Sequence, residues 1–149
     1  MQLDDLDLRI LSWLSRDGRA THAAIGRELG MTGPAVYARV SRLEQAGVIL
    51  GYSARIEPTA IGRSLLAYIR VSTRAHADEN DAFETFVLAE SRIVECHDVD
   101  GEDSYILKTR CASPEDLRTL VVAIRCMPQV IRTVTSIALM SLKDPEVSK

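Results

Sequence analysis

The stretch MTGPAVYARVSRLEQAGVI, Met31 to Ile49, carries the signals of one complete helix. Thr32 is a favourable N-cap residue, and Pro34 falls in the first turn, where its missing N–H costs no hydrogen bond. Gly47 is typical of the left-handed residue that follows the end of a helix. Apolar residues recur at i, i+4 and i+7, a spacing that predicts one buried face. These residues are Val36, Val40 and Leu43.

Two shorter helices precede this stretch. The first has Asp4 and Asp5 at favourable N-cap positions and ends at Asp17-Gly18, and the second begins at Thr21 and ends before Gly30. Gly26 lies inside the second helix, where glycine costs about 1 kcal/mol relative to alanine, so we expect another helix backbone to approach it closely. A short helix, a tight turn and a longer helix predict a helix-turn-helix. A generic three-helix bundle is the alternative.

The face of the third helix opposite its apolar stripe is plain, with small side chains beside two arginines. Small residues let a helix lie deep in the major groove of DNA. Tyr37 suits a thymine methyl group, a base edge or a phosphate, whereas Arg39 and Arg42 are better placed to meet phosphates or to hold the helix than to read bases. Alternatively, the arginines only solvate the helix. The candidate DNA-binding residues are His22, Thr32, Gly33, Pro34, Tyr37, Ala38, Arg39, Ser41 and Arg42.

The charge of the chain is distributed unevenly. The net charge is −3, but residues 1–56 carry 7 Arg and 6 Asp or Glu, a balance of +1. Between Arg19 and Arg55 there are 5 Arg and 2 Glu, because the acids cluster before residue 18. A local basic patch on an acidic protein is compatible with double-stranded DNA as a partner.

The rest of the chain has a different periodicity. Residues 48–56 alternate like a strand or wing, and 57–63 have the composition of a hinge. The following elements have the order β-α-β-β-α-β, which predicts a ferredoxin-like fold with helices on one sheet face. Their expected ranges are 64–72, 78–91, 93–100, 104–111, a helix from Ser113, and 130–142.

The last predicted strand is apolar on both sides near its end, and helices cover only one sheet face. A second copy of the domain is the economical cover for the other face. The predicted fold class is therefore α+β, a winged helix-turn-helix domain followed by a ferredoxin-like βαββαβ domain. The predicted domains are 1–56 for DNA binding, 57–63 as hinge, 64–142 for ligand binding and oligomerisation, and 143–149 as tail.

Short motifs follow one another in a fixed order along nearly the whole chain. They are Leu3-Asp4, Asp7 with Ile10-Leu11, Asp17-Gly18-Arg19, Val36-x-x-Arg39-Val40-x-x-Leu43-Glu44-x-x-Gly47-Val48-Ile49-x-Gly51-Tyr52, Cys96, Gly101-Glu102 and Tyr105. In this order and spacing they resemble the Lrp/AsnC (feast/famine) family of transcriptional regulators. The resemblance implies dimers formed through the C-terminal sheets, which often join into tetramers or octamers. It also implies an amino acid or related metabolite bound at contacts between dimers.

The resemblance places the effector site around the loop from Gly101 to Ser104. The family's loop usually runs Gly, two variable residues, Asp and Tyr, and here Ser104 stands where the family has aspartate. Backbone N–H groups near Gly101 suit a carboxylate, and Asp103 or a carbonyl group suits an ammonium group. Without the resemblance, a polar hairpin turn is the plainer interpretation. The candidate ligand-binding residues are Asp100, Gly101, Glu102, Asp103, Ser104, Thr133 and Thr135.

Several classes of protein are disfavoured by the sequence. The N-terminus is acidic, and no apolar run reaches the roughly 18–20 residues of a membrane span, so we expect a cytoplasmic protein without membrane contact. The cysteines and histidines lack the spacing of disulfide frameworks or metal sites, and we expect no cofactor or metal. No nucleophile–base set or phosphate-binding loop indicates an enzyme. The sequence favours a sequence-tolerant DNA-binding regulator; the alternative is an architectural DNA-binding protein without an effector.

Overall fold

The structure, a computed structural model, describes residues 2–74 and 82–144. The chain forms two compact units, Met1–Ala54 and Arg55–Lys149. The first unit contains helices α1 (Asp5–Arg16), α2 (His22–Leu29) and α3 (Gly33–Gln45). The N-caps are the predicted ones, because each of three side chains accepts a hydrogen bond from a backbone N–H three residues on. These caps are Asp4, Thr21 and Thr32.

The predicted apolar stripes form the core of the first unit. Ile10, Ile25, Val36 and Leu43 are fully buried, and Val40 is nearly so. Residues from all three helices therefore share one small core, and the helix-turn-helix prediction is confirmed.

Gly26 does have a packing reason, but it is not the predicted one. A Cβ at this position would lie 2.5 Å from the carbonyl oxygen of Met31 and 3.3 Å from the carbonyl carbon of Thr32. The close neighbour is therefore the turn between α2 and α3, and not the backbone of another helix. Met31 N also donates to Gly26 O at 2.8 Å, so the turn folds directly onto this glycine.

The strand or wing predicted over residues 48–56 is absent from the described structure. The backbone N–H groups of Val48 and Ile49 both return to the carbonyl of Leu43, which closes the end of α3. Tyr52 then donates to Glu44 at 2.9 Å. The described part of the first unit contains no strand with which this segment could pair, and a lone alternating segment does not form a ladder.

The second unit has the predicted βαββαβ order. After a 3₁₀ turn at Pro58–Ile61 come β1 (Leu65–Thr73), α4 (Ala82–Ala89), β2 (Ile93–Asp98), β3 (Tyr105–Cys111), α5 (Pro114–Arg125) and β4 (Val130–Ile137). The strands form one antiparallel sheet in the order β2-β3-β1-β4. The helix predicted over 78–91 is present from residue 82, and residues 78–81 lie outside the described residues.

One face of this sheet packs against the helices. Ala67, Ile69 and Val71 of β1 point into a core that they share with β3, α4 and α5. Because side chains alternate along a strand, the residues between them point to the other face, which we call the open face. Register places on it Leu66, Tyr68, Arg70 and Ser72, Ile106, Lys108 and Arg110, and Arg132, Val134 and Ser136.

The last strand is shorter than predicted, because it ends at Ile137 and not at residue 142. Ile137 pairs with Ala67, and Ala138 N makes one further hydrogen bond to Leu66 O at 3.0 Å. β1 continues to Leu65 and stays paired with β3 there, but its register with β4 ends at Ala67, so the chain leaves the sheet after Ala138. Leu139, which was predicted to lie in the strand, is 97% exposed.

Candidate functional site

The outer face of α3 presents one large side chain among small ones. Tyr37 is 59% exposed, and the ring of His22, at the start of α2, lies 5.5 Å from its ring at an interplanar angle of 59°. The structure therefore joins two candidates that are separated in sequence. Thr32, Pro34, Ala38 and Arg42 are exposed, while Gly33, Arg39 and Ser41 are partly buried.

The two arginines of α3 are bound to acids of α1. Arg39 Nη1 lies 2.7 Å from Asp4 Oδ2 and 2.8 Å from Asp7 Oδ1. Arg42 Nη2 lies 2.7 Å from Asp7 Oδ2 and 2.9 Å from Asp7 Oδ1. Asp7 is fully buried, and it also belongs to the capping box that begins α1. One pair of carboxylates thus caps α1 and ties it to α3.

Ionisation in this cluster follows from its hydrogen bonds. Burial acts to raise the pKa of Asp7, but hydrogen bonds from Arg39 and the backbone of Asp4 outweigh it and hold that pKa below its ordinary value. The pKa of Asp4 is lowered mainly by its hydrogen bond from Arg39. Both carboxyls are therefore charged at neutral pH, opposite two charged arginines.

The sequence carries a signal for this cluster. Asp4 and Asp7 are three residues apart on one helix, and so are Arg39 and Arg42 on another. Residues at this spacing share a helix face, so two acids and two bases could be matched as a set. The arginines were predicted to meet phosphates or to hold the helix, but their acidic partners were not identified.

The predicted effector loop lies at the turn between β2 and β3. Gly101 has a φ of +149°, which disfavours other residues, and a Cβ there would meet open space. Asp100 and Glu102 are exposed. Asp103 is only 8% exposed, and its carboxylate lies 3.4 Å from both Arg70 and Arg132 on the open face.

Ser104 and the two threonines have separate places. Ser104 N donates to Val71 O at 2.8 Å, and its hydroxyl accepts from Thr73 N at 3.0 Å. Thr133 of β4 pairs with Val71 of β1, and its hydroxyl accepts a hydrogen bond from Arg125 Nε at 2.6 Å. Thr135 pairs with Ile69, further from the loop. Thr133 is therefore one strand away from Ser104, whereas Asp103 faces the opposite side of the sheet.

Metal sites and membrane spans each require a specific arrangement of residues. Among residues 2–74 and 82–144, no group of three His, Cys, Asp or Glu side chains is placed to hold a metal ion. None of the helices in these ranges has the length and apolar character needed to cross a membrane.

Both units are similar to known protein domain families. Residues 3–44 match the AsnC-type helix-turn-helix domain, and residues 66–147 match the Lrp/AsnC ligand binding domain. The HTH-type transcriptional regulator LrpA of Mycobacterium tuberculosis is 39% identical over 137 residues, which cover 92% of this chain and 90% of that protein.

Solved structures of transcriptional regulators share the fold over almost the whole chain. A regulator from Neisseria meningitidis in complex with L-methionine has a TM-score of 0.91 and 26% identity, covering 96% of this chain and 94% of its own. A feast or famine regulatory protein from M. tuberculosis, complexed with L-methionine, has a TM-score of 0.86 and 36% identity, covering 96% of each chain.

Proposed function

The chain belongs to the Lrp/AsnC family of transcriptional regulators, and from this premise we propose that α3 reads double-stranded DNA and that an amino acid tunes the binding. The observation that carries the DNA proposal is the outer face of α3. It combines an exposed tyrosine with small neighbours, so the helix can enter a major groove without a steric barrier. Such a surface makes few base contacts and tolerates sequence variation, with DNA deformability contributing to preference.

The residues of α3 have different roles in this proposal. Tyr37 reads base edges or thymine methyl groups, because it is the largest side chain on the exposed face. Arg42, with 51% of its side chain exposed, contacts a phosphate. Arg39 is only 25% exposed and bound by two carboxylates, so its contribution is to hold α3 in place.

The test compares single alanine variants on a panel of DNA fragments. Tyr37→Ala is expected to change the preference among fragments, whereas Arg42→Ala weakens binding to all of them and reduces the salt slope by about 1. Leu50→Ala is the control for Tyr37→Ala, because Leu50 is 94% exposed in the same unit but lies outside α3. Undiminished binding by a Tyr37/Arg39/Arg42 triple alanine variant would refute the assignment.

For the effector we propose methionine or a related amino acid, bound near the loop from Gly101 to Ser104. The support is the L-methionine bound by a structural relative at 36% identity, together with the open space around Gly101. The Asp103 carboxylate contacts two arginines, so recognition of the amino group falls to loop carbonyls or to a second dimer. This assigns the site to a contact between dimers, within a tetramer or octamer.

Calorimetric titration of L-methionine and other amino acids tests the effector site. Wild type is expected to bind at millimolar concentration or below, and Gly101→Trp is expected to abolish the heat signal. Gly51→Trp is a matched control, because Gly51 has a similar φ of +151° and equally open surroundings in the other unit. Binding that survives Gly101→Trp, or is lost in both variants, contradicts the assignment.

An architectural role without an effector is the second candidate. It is favoured by Ser104, which stands at the family's aspartate position and whose hydroxyl already accepts a backbone hydrogen bond. In that case no amino acid raises the thermal stability of the protein, although a ligand of the native state should do so. Footprints would then extend over many helical turns of DNA with little sequence preference.

A further inference from the structure

We propose that Asp7 is a positioning residue for DNA binding, which holds the Arg42 guanidinium so that its outward N–H groups meet a phosphate. The inference rests on the proposed function of α3, and it assigns a role in recognition to a residue of α1 that is fully buried. Asp7 itself would not touch DNA.

The geometry of Arg42 supports this role. Both short contacts to Asp7 are made by Nη2, one to each carboxylate oxygen. Among the residues that the structure describes, Nη2 is the only guanidinium nitrogen of Arg42 with a hydrogen bond, and half of the side chain is exposed. A guanidinium is a planar fork with five N–H donors, so fixing one corner sets the direction of the remaining donors.

Arg39 explains why Asp7 stays in place. Its Nη1 bridges Asp4 and Asp7, and the backbone N–H of Asp4 also donates to Asp7 Oδ2 at 3.2 Å. Asp7 therefore retains partners if the DNA draws Arg42 slightly outward. A carboxylate held from several sides can orient a more mobile arginine, and such preorganisation lowers the entropic cost of binding.

The charge balance of the cluster distinguishes positioning of the Arg42 guanidinium from simple electrostatic attraction between the protein and DNA. The cluster contains two arginines and two aspartates, so it is formally neutral. If charge alone mattered, replacing Asp7 with asparagine would give the cluster a net positive charge and tighten DNA binding. If Asp7 only held α1 against α3, its replacement would lower the unfolding free energy and leave the DNA affinity of the folded protein unchanged.

The experiment is a double-mutant cycle between Asp7→Asn and Arg42→Ala. The probes are a DNA fragment selected by the wild-type chain from a random pool and a random fragment of equal length. Asp7→Asn is expected to weaken binding to the selected fragment by about tenfold. In the Arg42→Ala background the same change should have less than about a twofold effect. Measurements are made where Trp13 fluorescence and circular dichroism show folded protein.

A matched cycle and a second substitution complete the design. Arg9, an exposed arginine of α1, replaces Arg42 in the control cycle, where the effects of Asp7→Asn and Arg9→Ala should be additive. Arg42→Lys keeps the charge but not the fork, so it should lose nearly as much affinity as Arg42→Ala. This variant keeps the test valid even if Asp7→Asn does not fold.

Three outcomes would overturn the inference: unchanged or tighter binding by Asp7→Asn, additivity with Arg42→Ala, or full affinity in Arg42→Lys. The proposed function fails in a different way. If the wild-type chain binds neither fragment, α3 does not bind DNA, and the orientation of the Arg42 guanidinium has no bearing on recognition.

Discussion

At position 26 a methyl group would lie 2.5 Å from the carbonyl oxygen of Met31, closer than side chains approach in folded proteins. We expect Gly26→Ala to lower the unfolding free energy of the first unit by about 1–2 kcal/mol, because overpacking outweighs the better helix propensity of alanine. Urea unfolding followed by Trp13, the chain's single tryptophan, measures this. Gly33→Ala is the control, since its Cβ would make ordinary contacts of 3.5 Å or more. Equal stability of the two variants would contradict the prediction.

The acids of α1 should make the first unit sensitive to acid. The pKa of Asp4 and that of Asp7 both lie below the ordinary 3.8 in the folded state. Their contribution to stability is therefore complete above about pH 4 and is lost as the pH falls through the folded values. We expect Trp13-monitored unfolding to need less urea at pH 3 than at pH 5. Asp7→Asn should reduce this difference, and an unchanged difference would argue against the cluster.

Residue identities predicted local contacts better than distant ones. The N-cap at Thr32 and the buried Val36 follow from their positions in a single helix, and both are confirmed. The partners of Arg39 lie more than 30 residues away, and they depend on how α1 crosses α3. Helical periodicity identifies a face but not the element that covers it. A phosphate and a carboxylate are both suitable partners for an exposed arginine.

Among the elements, those with their own start and stop signals were predicted well. Strand ends were harder, because a strand ends where its backbone pairing ends, and apolar character alone does not show that point. Residues 138–142 remain mostly apolar, yet β4 leaves the sheet after Ala138 while β1 continues to Leu65 beside β3. Residues 48–56 alternate, yet the described first unit has no strand beside them. The loop from Gly101 to Ser104 lies between β2 and β3 as expected, but the side of the sheet faced by Asp103 depends on register.

One arginine joins three elements of the second unit. Arg92 precedes β2 and contacts Glu90 at 2.6 Å, Asp116 of α5 at 2.7 Å and Thr119 at 2.9 Å. Arg92→Met would leave two carboxylates without this cation, and we expect a loss of about 1–3 kcal/mol in unfolding free energy. Far-UV circular dichroism during thermal unfolding measures it, with Trp13 fluorescence reporting the other unit.

The pH dependence distinguishes this effect from lost packing. Hydrogen bonding to Arg92 holds the pKa of Glu90 below its ordinary 4.5, so the stabilisation is complete above that pH and is lost as the pH falls through the folded value. The gap between wild type and Arg92→Met should therefore narrow in acid. Arg118→Met, at an exposed position on α5, should change little at any pH. A gap that stays constant would indicate packing alone.

For the molecule as a whole, the open face of the sheet is the feature that bears on assembly. Among the described residues of a single chain, no helix covers this face. It combines partly exposed apolar side chains such as Tyr68, Ile106 and Val134 with charges that are already matched within the chain. Lys108, for example, lies 3.1 Å from Glu95. Because these charges have partners, a second copy can cover the face without leaving them unpaired, which would be costly.

We therefore expect the protein to form a dimer through this face, or a tetramer or octamer built from such dimers. Tyr68 is 40% exposed near the middle of β1 and pairs with Lys108 and Ser136. Tyr68→Arg would place a cation beside Lys108 and, in a symmetric interface, near its own copy, so sedimentation at micromolar concentration should show smaller species. Leu88→Arg is the control, because Leu88 is 89% exposed on α4, away from the open face, and its variant should keep the wild-type assembly. A monomeric wild type, or an assembly that Tyr68→Arg leaves intact, would show that the open face is not the interface. A dimer should also protect DNA at two major grooves about 34–36 Å apart, or at a multiple of that spacing.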